Sequence, residues 1–298
     1  MRSLLYTSVL CLCSGGTATA QVVDSTARVL HRDRLAGVAI GGSVVIAGSL
    51  MALDQAWYSQ YERSSFHTFN DGDEWLQMDK VGHAYSAYTM GRWGKGLLDW
   101  TGVDERTATW VGGSVGLVYL TGVEYLDGRS SGWGWSWWDM AANAAGTGLF
   151  IGQELGWGEQ RMRMKFSAHL TDYAAQNPDL LGETTPERLL KDYNGATYWL
   201  SVNPSSFSRK ERPLRWLSVS FGYGAEGMVN ATQQPVEGAS TPPPYRQYYL
   251  SLDVDLERIP TRSKVLRTTL FLLNCIKIPA PTLEYRSTGQ WVGHWLYF

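Results

Sequence analysis

Charge, cysteine and basic residues are all in short supply in this 298-residue chain, and each shortage excludes a class of function. Charged residues make up 18%, with 26 Lys and Arg against 28 Asp and Glu. A net charge of −2 leaves no basic excess to displace counterions from phosphates, so nucleic acid is not an expected partner. Three cysteines cannot build a disulfide framework or a four-cysteine zinc site. The patterns GxxxxGKS/T and HExxH are absent, and the GxSxG string at Gly112 to Gly116 does not follow a strand. Gly112-Gly113-Ser114-Val115-Gly116 falls inside an apolar helical stretch and reads as a packing element, not a phosphate loop. Mean hydropathy is −0.22, low for a protein made of many long membrane helices. What the chain does have is aromatic and small: 14 Trp and 32 Gly, with aromatics at 13%. That much apolar surface offsets the entropy of ordering and excludes a disordered chain.

Residues 1–20, MRSLLYTSVLCLCSGGTATA, join a positive Arg2 to a short apolar core and the small-residue site Ala18-Thr19-Ala20. The run is too short to span a bilayer and predicts a removable secretory signal. Cys11 and Cys13 each follow a leucine, whereas a lipid-attachment cysteine needs small residues just before it. Cleavage after Ala20 would leave Cys275 alone, so no internal disulfide is expected even in an oxidising compartment.

The apolar pattern divides the rest of the chain. Residues 29–165 predict a bundle of about four apolar helices, with segments at Leu35–Leu53, Met78–Leu98, Thr107–Val123 and Trp138–Leu155. Only the first would pass alone as a membrane span. Gly37/Gly41, Gly112/Gly116, Gly148/Gly152 and Gly152/Gly156 are small-residue pairs that allow close helix approach. Residues 166–213 read as a polar connection. From 214 to 298 the period becomes two, giving antiparallel strands with one apolar and one wet face, plus a short apolar helix at Ser263–Ile276. The last strand is crowded with Trp291, Trp295, Tyr297 and Phe298, an ending that resembles the closing strand of outer-membrane barrels. Yet about four strands cannot close a barrel of about eight, and a final strand docked on a soluble sheet stays open as a reading. The fold class is therefore α+β.

The chemistry is confined to the apolar helices. Asp79, Lys80 and His83 open the second segment, and Asp79 and His83 are four apart, hence on one face. Glu124 closes the third, followed by Arg129 and a loop holding Trp133 and Trp135. Ser136 stands three positions before Asp139, and Asp139 shares a helix face with Asn143. Ionisable groups in apolar helices are costly to desolvate and are expected to pair or to line a functional cavity.

Asp79-Lys80-Val81-Gly82-His83, then Glu124 to Arg129, then Gly132 to Asp139 with Asn143 and Gly146, resemble the YfiM-type family of predicted periplasmic lipoproteins. More remotely the same order is similar to VanZ-like membrane proteins. The resemblance covers roughly residues 70 to 160, and the strand region resembles longer envelope members of that family from Bacteroidetes-type bacteria. No established activity comes with it.

Three uses of Asp79, Lys80, His83, Glu124, Arg129, Asp139 and Asn143 stay open. They form a buried network that pins helix ends. Or His83, oriented by Asp79, is a general base with Glu124 or Asp139 as acid, while Lys80 and Arg129 hold a lipid-linked phosphate. Or Asp79, His83, Glu124 and Asp139 bind a metal, although one histidine among carboxylates is a weak zinc set without familiar spacing. The sequence thus assigns no cofactor and no metal. It predicts an exported, membrane-associated envelope protein with a structural, non-enzymatic role, the alternative being an enzyme on an envelope lipid or lipid-linked phosphate. Its expected place is the outer membrane or its periplasmic face, with the inner membrane as alternative. Membrane lipid and other envelope proteins are the expected partners.

Overall fold

Long stretches without charge become helices here, and their burial separates them into two kinds. The computed structural model describes residues 28–59, 61–208, 214–232 and 242–298. The secretory signal, with Cys11 and Cys13, lies outside the described residues. The N-terminal part holds α1 (Arg32–Leu53), α2 (Met78–Thr101), a single turn α3 (Glu105–Thr107), α4 (Val115–Asp127) and α5 (Trp137–Trp157). No residue of α1 is buried, and among the described residues α1 alone is long and apolar enough to cross a membrane. In α2, by contrast, Lys80, Arg92 and Lys95 are all buried. It is therefore not one more apolar helix but a charged axis against which α4 and α5 pack.

Glycine sets how closely they pack. A Cβ on Gly146 of α5 would stand 2.0 Å from the carbonyl oxygen of Ala84, and one on Gly116 of α4 would stand 2.4 Å from that of Ala87. Gly112 meets the backbone of Lys95 in the same way. Gly37, Gly41, Gly148, Gly152 and Gly156 face open space, so of the expected pairs only Gly112/Gly116 lies at a helix contact among the described residues.

A two-residue parallel pair, β1 (Thr68–Phe69) with β2 (Trp135–Ser136), ties the loop before α2 to the start of α5. The C-terminal part is one six-stranded antiparallel sheet in sequence order: β3 (Met162–Ala168), β4 (Ala196–Val202), β5 (Leu217–Glu226), β6 (Tyr245–Val254), β7 (Ala280–Arg286) and β8 (Trp291–Tyr297). Short helices α6 (Pro178–Leu181) and α7 (Thr185–Lys191) join β3 to β4. Helix α8 (Lys264–Leu273), capped by Ser263 Oγ, occupies the expected apolar stretch between β6 and β7. Two strands correct the sequence reading. Helical character stops before Met162, where β3 begins, and β4 lies within the stretch taken for a polar connection.

The faces of the sheet are the larger surprise. Alternation is present as expected, but the polar side is the buried one. Lys165, Ser201, Ser220, Ser251, Asp253 and Glu284 are buried, while Phe221, Leu250, Leu252 and Leu283 are exposed and Trp295 is 93% exposed. The sheet curls around its polar side. Tyr297 of β8 reaches Tyr249 of β6, hydroxyl to hydroxyl at 2.8 Å, and Thr197 of β4 at 2.9 Å. The apolar side is covered only in part, where Phe166 of β3 and Tyr198 of β4 meet Tyr85 of α2 at 5.8 and 5.7 Å between ring centres.

Candidate functional site

The cluster is built where three helix ends meet, and the sheet sets the angle of the first. Trp75, Leu76 and Gln77 have φ values of 49°, 49° and 64°, three successive left-handed residues immediately before α2. That backbone is costly for residues with side chains and persists only where the surroundings hold it. Here the Tyr223 hydroxyl donates to the Leu76 carbonyl, Arg246 donates to Gln77 Oε1 at 2.7 Å, and Trp75 N–H donates to Ala231 O at 2.9 Å. The turn aims the first two turns of α2, with Asp79, Lys80 and His83, at the ends of α4 and α5.

Lys80 is enclosed by acids. Its Nζ lies 2.5 Å from Asp71, 2.9 Å from Asp79 and 2.8 Å from Asp139. Ser136 is the N-cap of α5. Its Oγ accepts the Asp139 N–H at 3.1 Å and donates to Asp71 Oδ1 at 2.5 Å, while its own N–H donates to Glu124 Oε2 at 3.0 Å. Burial alone would raise the Asp71 pKa, but its hydrogen bonds with Asp139, Lys80 and Ser136 hold it below the usual carboxylate range.

His83 faces two ways. Nδ1 lies 3.1 Å from Asn143 Oδ1, an acceptor, so this nitrogen carries a proton, while Nε2 makes no hydrogen bond among the described residues. Nε2 stands 3.7 Å from Asp79 Oδ1 and 4.0 Å from Asp139 Oδ1, too far for a hydrogen bond to either. The Tyr193 hydroxyl donates to Asp79 Oδ1 at 2.9 Å, and burial together with that carboxylate pushes the Tyr193 pKa well up. Three buried polar atoms of the cluster make no hydrogen bond: Glu124 Oε1, Asp139 Oδ1 and Asn143 Nδ2. Asp139 Oδ1 is close to the Lys80 ammonium but out of hydrogen-bonding alignment. Leaving such groups unpaired costs about 1–3 kcal/mol each. A cavity of about 270 Å³ opens beside them, lined by Asp79, His83 and Asp139 and by Trp57, Tyr58 and Trp133.

Six of the seven residues singled out in the sequence, Asp79, Lys80, His83, Glu124, Asp139 and Asn143, are thus brought together. Arg129 is not. It is exposed, and its side chain makes no hydrogen bond or ion pair among the described residues. With Arg129 outside and Lys80 already surrounded by three carboxylates, neither cation is placed to hold a phosphate. Asp71 and Tyr193 belong to the cluster and had no sequence signal of their own. The first sits in the turn Asn70-Asp71-Gly72-Asp73, the second in the supposed connection. Nothing about local spacing reveals a contact such as that of Tyr193 with Asp79.

No curated protein and no solved structure matches the chain. The cluster does fall within a recognised segment: α2, α4 and most of α5 lie between residues 67 and 151. Those residues match the model of the DUF2279 family, described as a predicted periplasmic lipoprotein, a match that supports a place in the cell envelope.

Proposed function

We propose that this is a membrane-seated protein of the outer envelope membrane whose helices and sheet both present apolar faces to lipid, and whose polar cluster locks the helix ends around a cavity at the membrane interface. One observation carries the reading. The exposed side of α5 bears Trp137 and Trp138 at its start and Leu155 and Trp157 at its end, with only Ala and Gly exposed between. Twenty residues of helix rise about 30 Å, the thickness of a bilayer's hydrocarbon core, and tryptophan favours both of its boundaries. The unburied α1 and the outward Phe221, Leu250, Leu252 and Leu283 of the sheet support the same surroundings. A sheet with polar residues inside and apolar ones outside, ending in an aromatic strand, favours the outer membrane over the inner.

Separation of envelope membranes by density tests the reading, followed by an alkaline carbonate wash. The protein is expected in the outer-membrane band and to resist the wash. Recovery in the soluble periplasmic fraction contradicts membrane seating, and recovery in the inner-membrane band contradicts the choice of membrane.

A second reading rests on His83 and the unpaired Asp139 Oδ1, which line the cavity: acid–base chemistry on an amphipathic substrate entering it. The acid-rich walls favour a neutral or cationic substrate over a phosphate. His83→Ala in a protein that stays folded should then reproduce the phenotype of a deletion. Full function in that variant removes the reading.

A further inference from the structure

Three donor atoms in the cavity face one another without touching. His83 Nε2, Asp79 Oδ1 and Asp139 Oδ1 come from two helices, and the ligand atoms of these three residues all lie within 4.8 Å of one another. The gaps of 3.7 and 4.0 Å from Nε2 are too long for hydrogen bonds but suit atoms bridged by an ion with bonds of about 2.0–2.2 Å. We propose that Asp79, His83 and Asp139 bind a divalent transition-metal ion, with a water completing the coordination on the cavity side.

The surroundings are those of a ligand set. Asp139 is 4% exposed, and its Oδ1, facing His83, has no hydrogen bond. Lys80 donates to Asp79 Oδ2 and Asp139 Oδ2 and also lies 2.8 Å from Asp139 Oδ1, so its ammonium holds both carboxylates beside His83. Metal-bound histidines almost always donate their second ring N–H to an oxygen, and His83 Nδ1 has Asn143 Oδ1 for that purpose. Tyr193 steadies Asp79 from the other side. One imidazole with two carboxylates suits manganese or iron better than zinc, and three protein ligands beside an open cavity are the arrangement of catalytic rather than structural sites. Glu124 is not a ligand. It lies on the Nδ1 side, with Oε1 3.8 Å from that nitrogen.

The test uses the full chain purified in detergent, stripped with EDTA and titrated with Co²⁺ alone. A visible d–d absorption saturating at one equivalent and displaced by Zn²⁺ is expected. His83→Ala and Asp139→Asn should abolish it, while His294→Ala, which alters a histidine–carboxylate pair in the sheet, should leave it unchanged. Tyr193→Phe and Asn143→Ala are positioning variants and should weaken Co²⁺ binding about 10–100-fold. Tyr193→Phe decides the matter should the ligand variants fail to fold, since it removes one hydroxyl and no ligand. No saturable Co²⁺ spectrum in the wild type, or one that survives His83→Ala, overturns the proposal, as does unchanged affinity in Tyr193→Phe. The inference is independent of membrane seating, because misplacement in the fractionation would leave the Co²⁺ spectrum unaffected.

Discussion

Two clusters of buried charge, one among the helices and one inside the sheet, answer the same physical problem differently. In the sheet, Lys165 is fully buried, 2.8 Å from Asp253, and also donates to the Val254 carbonyl. Asp253 in turn accepts from Ser201 at 2.6 Å and from the Ile278 N–H. Glu284 accepts from Gln247, Arg286 and His294. Among the helices the acids have comparable burial, yet Glu124, Asp139 and Asn143 each keep an atom unpaired, and Asp139 lines a cavity. The charged groups of the sheet are thus paired, although Ser220 Oγ has no partner there, and their network serves as a core in place of apolar packing. An incomplete one of equal burial is held open for something else.

Breaking the closed network should have the largest effect. Lys165→Met leaves Asp253 charged and without its cation, a loss of about 3–5 kcal/mol that denaturant unfolding in detergent would read. Ser201→Ala removes one hydrogen bond to the same carboxylate and should cost about 1.5–3 kcal/mol. In the open network His83→Ala loses a single side-chain hydrogen bond, to Asn143, and should cost only about 1 kcal/mol in the metal-free protein. A loss matching that of Lys165→Met would erase the contrast.

Acidity gives the smallest and most general comparison. Burial lowers the pKa of Lys277, in the loop between α8 and β7, from 10.5 to about 8. Between those values the unfolded chain binds more protons, so this residue makes stability rise with pH across that window. For Asp255, burial is outweighed by Arg163 and by a hydrogen bond from Asn274, which together hold its pKa below the ordinary range. Its contribution is present above the unfolded carboxylate pKa and is lost as pH falls through the folded value. Thermal unfolding followed across pH should show both limbs, and Lys277→Met should flatten the alkaline one.

How much of this the sequence shows differs by region. Uninterrupted apolar runs mark α1 and α5, and strict alternation marks β5 and β6, because those patterns are local. β3 is hidden because MRMKFSA follows directly on a helix and carries Arg163 and Lys165 at what prove to be buried positions. Alternation at β5 and β6 separates two faces without saying which is covered, and here the polar one is buried. In the site, helix spacing gathers Asp79 with His83 and Asp139 with Asn143. It cannot supply Asp71 or Tyr193, which arrive from loops. It misplaces Arg129, which follows Glu124 by five residues but lies beyond the end of α4.

Two glutamates test the contrast between the networks most directly. Glu124 and Glu284 are each 1% exposed, and each can be neutralised with almost no change of shape by Glu→Gln substitution. Melting temperatures of the two variants, measured in the same detergent without added metal, should separate widely. Glu284→Gln surrenders charge-assisted bonds from three donors and should lower the melting temperature by several degrees. Glu124→Gln keeps one oxygen to accept from the Ser136 N–H and neutralises a group whose second oxygen has no partner, so it should leave the melting temperature unchanged or raise it. An equal fall in both would show that the helical cluster is as complete a structural network as the sheet's, contrary to this account.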